Sequence, residues 1–74
     1  TLLKEMGDRP GESSTLNNIG SIYYQLGQYP RALEFYQQAL ALRQEIGDRP
    51  GESLTLNNIG LIYYQLGQYA KASA

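Results

Sequence analysis

The chain has 74 residues with no Cys, no His and no Trp, which removes disulfide frameworks, Cys/His zinc sites, thiol nucleophiles and His-dependent triads together. Six Lys and Arg against seven Asp and Glu leave a net charge of −1, so no basic field exists to attract nucleic acid or an anionic membrane. No apolar run approaches the roughly 20 residues of a membrane span and no signal-peptide pattern opens the chain, so a soluble, cytoplasmic protein is expected. A chain this short ordinarily needs a staple or a partner to hold its core. Neither a metal nor a cofactor is expected to supply it here.

Gly7–Tyr29 and Gly47–Tyr69 match at 21 of 23 positions, a period of 40 residues. Periods of 20 to 50 residues mark solenoids, propellers or arrays. The repeated segments lack Val and show no two-residue alternation, which argues against propeller blades and for helices. In chain order, residues 1–7 are expected to end a second helix of a preceding repeat, because Thr1–Met6 aligns with Ala41–Ile46. Residues 8–47 form one complete helix-turn-helix unit, and 48–74 a truncated second one.

Asp8 and Asp48 are the expected caps of the two first helices, with Glu12 and Glu52 favouring the same helix ends. Gly11 and Gly51 are unusual so early in a helix. In the first helix Leu16, Ile19, Gly20, Tyr23 and Leu26 fall at spacings of 3, 4, 3 and 3, one face of an α-helix. Gly27 then supplies a left-handed stop, and Pro30 suits the first turn of a second helix. That helix turns Ala32, Phe35, Tyr36, Ala39, Leu40, Leu42 and Ile46 toward its partners and closes at Gly47. The second copy repeats the pattern, with a stop at Gly67 and a new helix beginning at Tyr69.

The order Leu16, Ile19, Gly20, Tyr23, Gly27, Tyr29, Ala32, Tyr36, Ala39 resembles the signature of the tetratricopeptide repeat, and Leu56, Ile59, Gly60, Tyr63, Gly67, Tyr69 and Ala72 repeat it. The resemblance covers the whole chain. It implies an all-α fold, an α-solenoid of helix-turn-helix repeats in right-handed superhelical stacking. The commonest unit of that family has 34 residues. The longer period is similar to repeats of spindle-orientation scaffolds, kinesin light chains and cyanobacterial multidomain signalling proteins. Small residues at Gly20, Ala32 and Ala39 let helix axes approach, while Tyr23 and Tyr36 fill the space around them. Gly20 and Gly60 are both expected to resist a larger side chain, and Tyr63 is expected in the core with Tyr23 and Tyr36.

A second stripe on the first helix comprises Ser14, Asn17, Ser21, Tyr24 and Gln25, with copies at Leu54, Asn57, Leu61, Tyr64 and Gln65. The resemblance implies that such stripes line a concave groove that binds a peptide or protein segment. The two differences between the copies, Ser14/Leu54 and Ser21/Leu61, both fall on this stripe and tune either binding or packing. Tyr24 and Tyr64 are ambiguous between ligand contact and packing. No Lys or Arg occurs from Ser13 to Leu26 or from Ser53 to Leu66, so the groove does not suit an acidic C-terminal tail.

Gly7-Asp8-Arg9-Pro10-Gly11 lacks the Gly-Lys-Ser/Thr ending of a phosphate loop and reads as a turn. Arg9 and Arg49 are expected to pair with nearby carboxylates. No convergent acid, base or nucleophile is apparent, so an enzyme is not expected. The alternative to a peptide-binding scaffold is an architectural or self-assembling module. In it, Tyr69–Ala74 of one copy continues into Thr1–Met6 of the next, or the chains swap elements.

Overall fold

The structure, a computed structural model, describes residues 8–73, with side chains through Gln68. The expected helix end at residues 1–7 lies outside the described residues, as does Ala74. Three helices follow one another: α1 over Arg9–Gln25, α2 over Tyr29–Ile46 and α3 over Arg49–Ser73. There is no strand among the described residues, as the absence of alternation implies.

Both caps sit where expected. Asp8 Oδ1 accepts from the backbone N–H of Gly11 at 3.1 Å, and Asp48 Oδ1 from that of Gly51 at 3.0 Å. The same contacts account for the glycines in the first turn. A Cβ at Gly11 or Gly51 would collide with the capping carboxylate itself, so glycine trades helix propensity for a close cap. Arg9, next to the first cap, pairs with Glu45 at the end of α2 at 2.6 Å. Such a surface pair contributes at most about 1 kcal/mol.

The α1–α2 turn is a Schellman closure. Gly27 has φ of 77°, its N–H donates to the Tyr24 carbonyl and the Gln28 N–H donates to the Tyr23 carbonyl. Gly47, at φ 74°, closes α2 in the same way through the carbonyls of Gln44 and Arg43. Only Gly47 and Asp48 separate α2 from α3, and Asp48 both follows the closure and caps the next helix.

The second copy departs from expectation. α3 runs through Gly67 to Ser73 without a turn, although Gly67 is the copy of Gly27. The reason lies three residues further on. Pro30 stands in the first turn of α2, where it has no N–H to donate and its ring excludes the carbonyl four residues earlier. The copy of Pro30 is Ala70, which continues a helix at no such cost. Gly27 permits the turn; Pro30 requires it.

α2 lies between its neighbours and packs on both. Its buried residues are Ala32, Tyr36, Ala39 and Arg43. Tyr36 is central: a Cβ at Gly20 would lie 2.8 Å from its ring, and on the α3 side the ring clusters with fully buried Ile62. Tyr23 stacks on Phe35 with centroids 5.5 Å apart and planes 13° from parallel, and the Arg31 guanidinium lies 5.8 Å from the Tyr23 centroid. The expected core holds at Gly20, Tyr36, Ala32 and Ala39 and fails in the second copy. Leu56, Gly60 and Tyr63 are exposed, Tyr63 to 56 %, because no described helix covers α3 as α2 covers α1. Leu26 and Ile46 are exposed too, each at a helix end.

Gly20 and Gly60 therefore differ although their surroundings in sequence are alike. Nothing lies within 4 Å of a Cβ at Gly60. Gly20→Leu is expected to destabilise the chain by about 1–3 kcal/mol or more through overpacking against Tyr36, while Gly60→Ala is expected to stabilise it by up to about 1 kcal/mol of helix propensity. Urea melts followed by circular dichroism measure both, and equal effects would remove the asymmetry. Ala70→Pro is expected to end α3 near residue 66, read as lost amide protection beyond Gly67.

Candidate interaction surface

At about 100° per residue, α3 presents three faces. Thr55 and Ile62 face α2 and are fully buried, and Asn58 beside them donates to Asn17 of α1. Leu56, Gly60 and Tyr63 form a second, exposed face, the copy of the α1 surface on which α2 sits, whereas Ile59 packs against the Ala32–Tyr36–Ile62 cluster. Leu54, Asn57, Leu61 and Tyr64 form a third. A shallow concavity lined by Ser53, Leu54, Leu56 and Asn57 joins the second face to the third.

The ten residues of the sequence-derived groove divide between the two helices. On α3, Leu54, Asn57, Leu61 and Tyr64 are exposed and Gln65 is half-buried. Tyr64 is 62 % exposed and makes a broad apolar surface beside Leu61. On α1, Ser14 and Gln25 are exposed, but the three residues between them are engaged inside the molecule. Asn17 is 8 % exposed, and its Oδ1 accepts from Thr55 Oγ1 at 3.4 Å and from Asn58 Nδ2 at 3.3 Å. Ser21 Oγ lies 2.9 Å from the Tyr36 hydroxyl and 3.2 Å from the Asn17 carbonyl. Tyr24 is half-buried and tilts against Tyr29 with centroids 5.5 Å apart. Stripe spacing alone brings these positions to one side of each helix; it does not say which side a neighbouring helix takes.

Ser21 has a reason to be serine. Tyr36 is 3 % exposed, and a buried phenol without a hydrogen-bond partner costs about 1–3 kcal/mol. Ser21 is that partner. Leu61, its copy, has no tyrosine above it among the described side chains and is exposed.

The sequence model of the tetratricopeptide repeat family matches residues 7–74. The chain belongs to the tetratricopeptide repeat family. Neither a curated protein nor a solved structure matches it. The three-helix arrangement is that family's helical repeat solenoid, and tetratricopeptide repeats generally mediate protein–protein interaction. No described helix is long and apolar enough to cross a membrane, and no group of His, Cys, Asp and Glu able to hold a metal occurs among the described residues.

Sequence reasoning missed the polar contacts that join this tetratricopeptide unit to the next. Arg43, 6 % exposed in α2, donates through Nη1 to Thr55 Oγ1 at 2.6 Å and to the Gly51 carbonyl at 3.1 Å. Thr55 in turn donates to Asn17, so one chain of hydrogen bonds runs from α2 through α3 to α1. Arg43 Nε is buried without a hydrogen-bond partner, 3.9 Å from Asp48 Oδ2. An Arg on a helix stripe reads as a surface charge from sequence. The available signal was that Arg43 recurs one turn after Ala39, on the stripe of Ala32, Tyr36 and Ala39.

Thr15 and Thr55 occupy equivalent positions, yet Thr15 is exposed and bonds only its own helix, through the Gly11 carbonyl. Thr55→Val is expected to cost about 1.5–3 kcal/mol, the range for hydrogen bonds to charged groups, and Thr15→Val within about 0.5 kcal/mol. Parallel denaturant melts test this, and equal losses would show that Arg43 gains nothing from Thr55.

Proposed function

We propose that the chain is a protein-interaction scaffold, without chemistry of its own, that holds an extended peptide segment along the Leu54–Asn57–Leu61–Tyr64 face of α3. The observation that supports this reading is the exposure of two leucines and a tyrosine beside a concavity that contains no charge. Leucine and tyrosine supply an apolar anchor with little rotamer freedom to lose in Tyr64, and the Asn57 amide can both donate to and accept from a peptide backbone. With no Lys or Arg from Ser53 to Leu66, the preferred ligand is a neutral segment with an apolar side chain, not an acidic C-terminal tail.

α1 contributes support more than contact. Asn17, Ser21 and Tyr24 hold neighbouring helices, leaving Ser14 and Gln25 at the groove. We place the protein in the cytoplasm and assign it no cofactor, nucleic-acid or membrane partner. A second reading, an architectural module whose partner is another copy of itself, draws on the same uncovered apolar surface of α3. Continuation of Tyr69–Ala74 into Thr1–Met6 of another copy needs a helix restarting at Tyr69, and α3 runs straight there instead.

A displayed peptide library panned against the chain tests the groove. Tyr64→Ala and Asn57→Ala are expected to weaken a selected peptide roughly tenfold or more for Tyr64, as a buried aromatic anchor does, and less for Asn57. Ser14→Ala is expected to change little. Binding indifferent to both α3 substitutions would move the site off this face.

A further inference from the structure

α3 buries a less apolar face than the one beside it. Toward α2 it turns Thr55 and Ile62, seven residues apart and both without exposed surface. One position further along the chain stand Leu56 and Tyr63, 51 % and 56 % exposed. At about 100° per residue, rotating α3 by one position about its own axis would bring this second pair to α2 in place of the first. Ile59, packed against the core cluster, lies between the two faces and serves either. Apolar burial alone favours the rotation, because it exchanges a threonine for a leucine and leaves Ile59 in contact.

We infer that Arg43 is a positioning residue that selects the observed rotation of α3 and so keeps Leu56 and Tyr63 turned outward. Its guanidinium is buried in α2, and both of its hydrogen bonds leave from Nη1 and end on α3, at Thr55 Oγ1 and the Gly51 carbonyl. Nε has no acceptor, and Asp48 Oδ2 stands 3.9 Å from it. In the rotated packing Leu56 would replace Thr55 opposite Nη1 and the Gly51 carbonyl would turn away, leaving a buried charge with no acceptor from α3. That penalty outweighs the burial of one leucine. The dependence runs one way. Thr15, the copy of Thr55, is satisfied by the Gly11 carbonyl of its own helix, so Thr55 has an alternative partner in the Gly51 carbonyl and Arg43 has none. Nor does the repeat require a charge here, since the residue aligned with Arg43 one period earlier is Leu3. Leu56 borders the concavity on α3, so Arg43 shapes that surface without touching it, whatever binds there.

The chain has no cysteine, so a single introduced thiol reports on a single position. Ile62→Cys and Leu56→Cys are each made in the 74-residue chain, with and without Arg43→Leu, and labelled with excess maleimide. With Arg43 present, the thiol at position 62 is expected to react at least about tenfold more slowly than the thiol at position 56, following their burial. Arg43→Leu is expected to speed the first at least about tenfold and to slow the second at least about threefold, as one face replaces the other. Helical circular dichroism is expected to stay unchanged, because Thr55 falls back on its own helix. Loosening of α3 without rotation would open position 62 and leave position 56 as reactive as before, and that pattern overturns the inference. Unchanged rates at both positions overturn it too, since packing alone would then set the rotation. So does loss of the helical signal, which would make Arg43 a support of the fold and not a selector between two packings.

Discussion

The ring of Tyr36 occupies the space that a side chain at residue 20 would need, and most of the structure depends on that substitution of ring for side chain. Because Gly20 has no Cβ, α2 settles against α1 closely enough for Tyr23 to stack on Phe35 and for Ala32 and Ala39 to lose all contact with solvent. Tyr36 also belongs to one buried cluster with Ala32 and with Ile62 of α3, so one residue takes part in two helix interfaces. Its hydroxyl is the cost of using tyrosine, and Ser21 satisfies it.

Apolar packing of this kind favours close approach but sets register weakly, since neighbouring rows of leucine, isoleucine and alanine are similar in size. The polar chain from Arg43 through Thr55 to Asn17 supplies the missing direction. Each donor meets acceptors at fixed heights along α3 and α1, and a slip of α3 by one turn would leave a buried guanidinium and a buried amide without partners, which is far more costly than a displaced methyl group. Asp48 works at the same joint. It caps α3 and stands beside Arg43, so helix start and helix register are decided within a few residues of each other.

Much of this was legible in the sequence. The repeat, the helical period, the caps at Asp8 and Asp48, the stops at Gly27 and Gly47 and the close approach at Gly20 are local or periodic, and such signals do not need a third dimension. What could not be read locally concerned coverage. Tyr63 and Gly60 carry the same pattern as Tyr23 and Gly20, but a stripe becomes core only when another helix lies on it. Asn17 and Ser21 occupy the same stripe positions as Asn57 and Leu61, yet contacts from α2 and α3 absorb the first pair and leave the second in solvent. Arg43 is the clearest case, because burial of a charge depends on acceptors 8 and 12 residues away in another helix.

The amino-acid sequence by itself determined that this is a helical repeat, where its first two helices begin and end, and that it carries no catalytic or metal-binding chemistry that Cys or His would provide. Tertiary structure alone decided which copy of each repeated residue is buried and which described face is left open. The reason is physical: helix period and capping are set by bonds within a few residues, whereas burial is a property of pairs of helices. Two segments alike at 21 of 23 positions can therefore be core in one place and surface in the other.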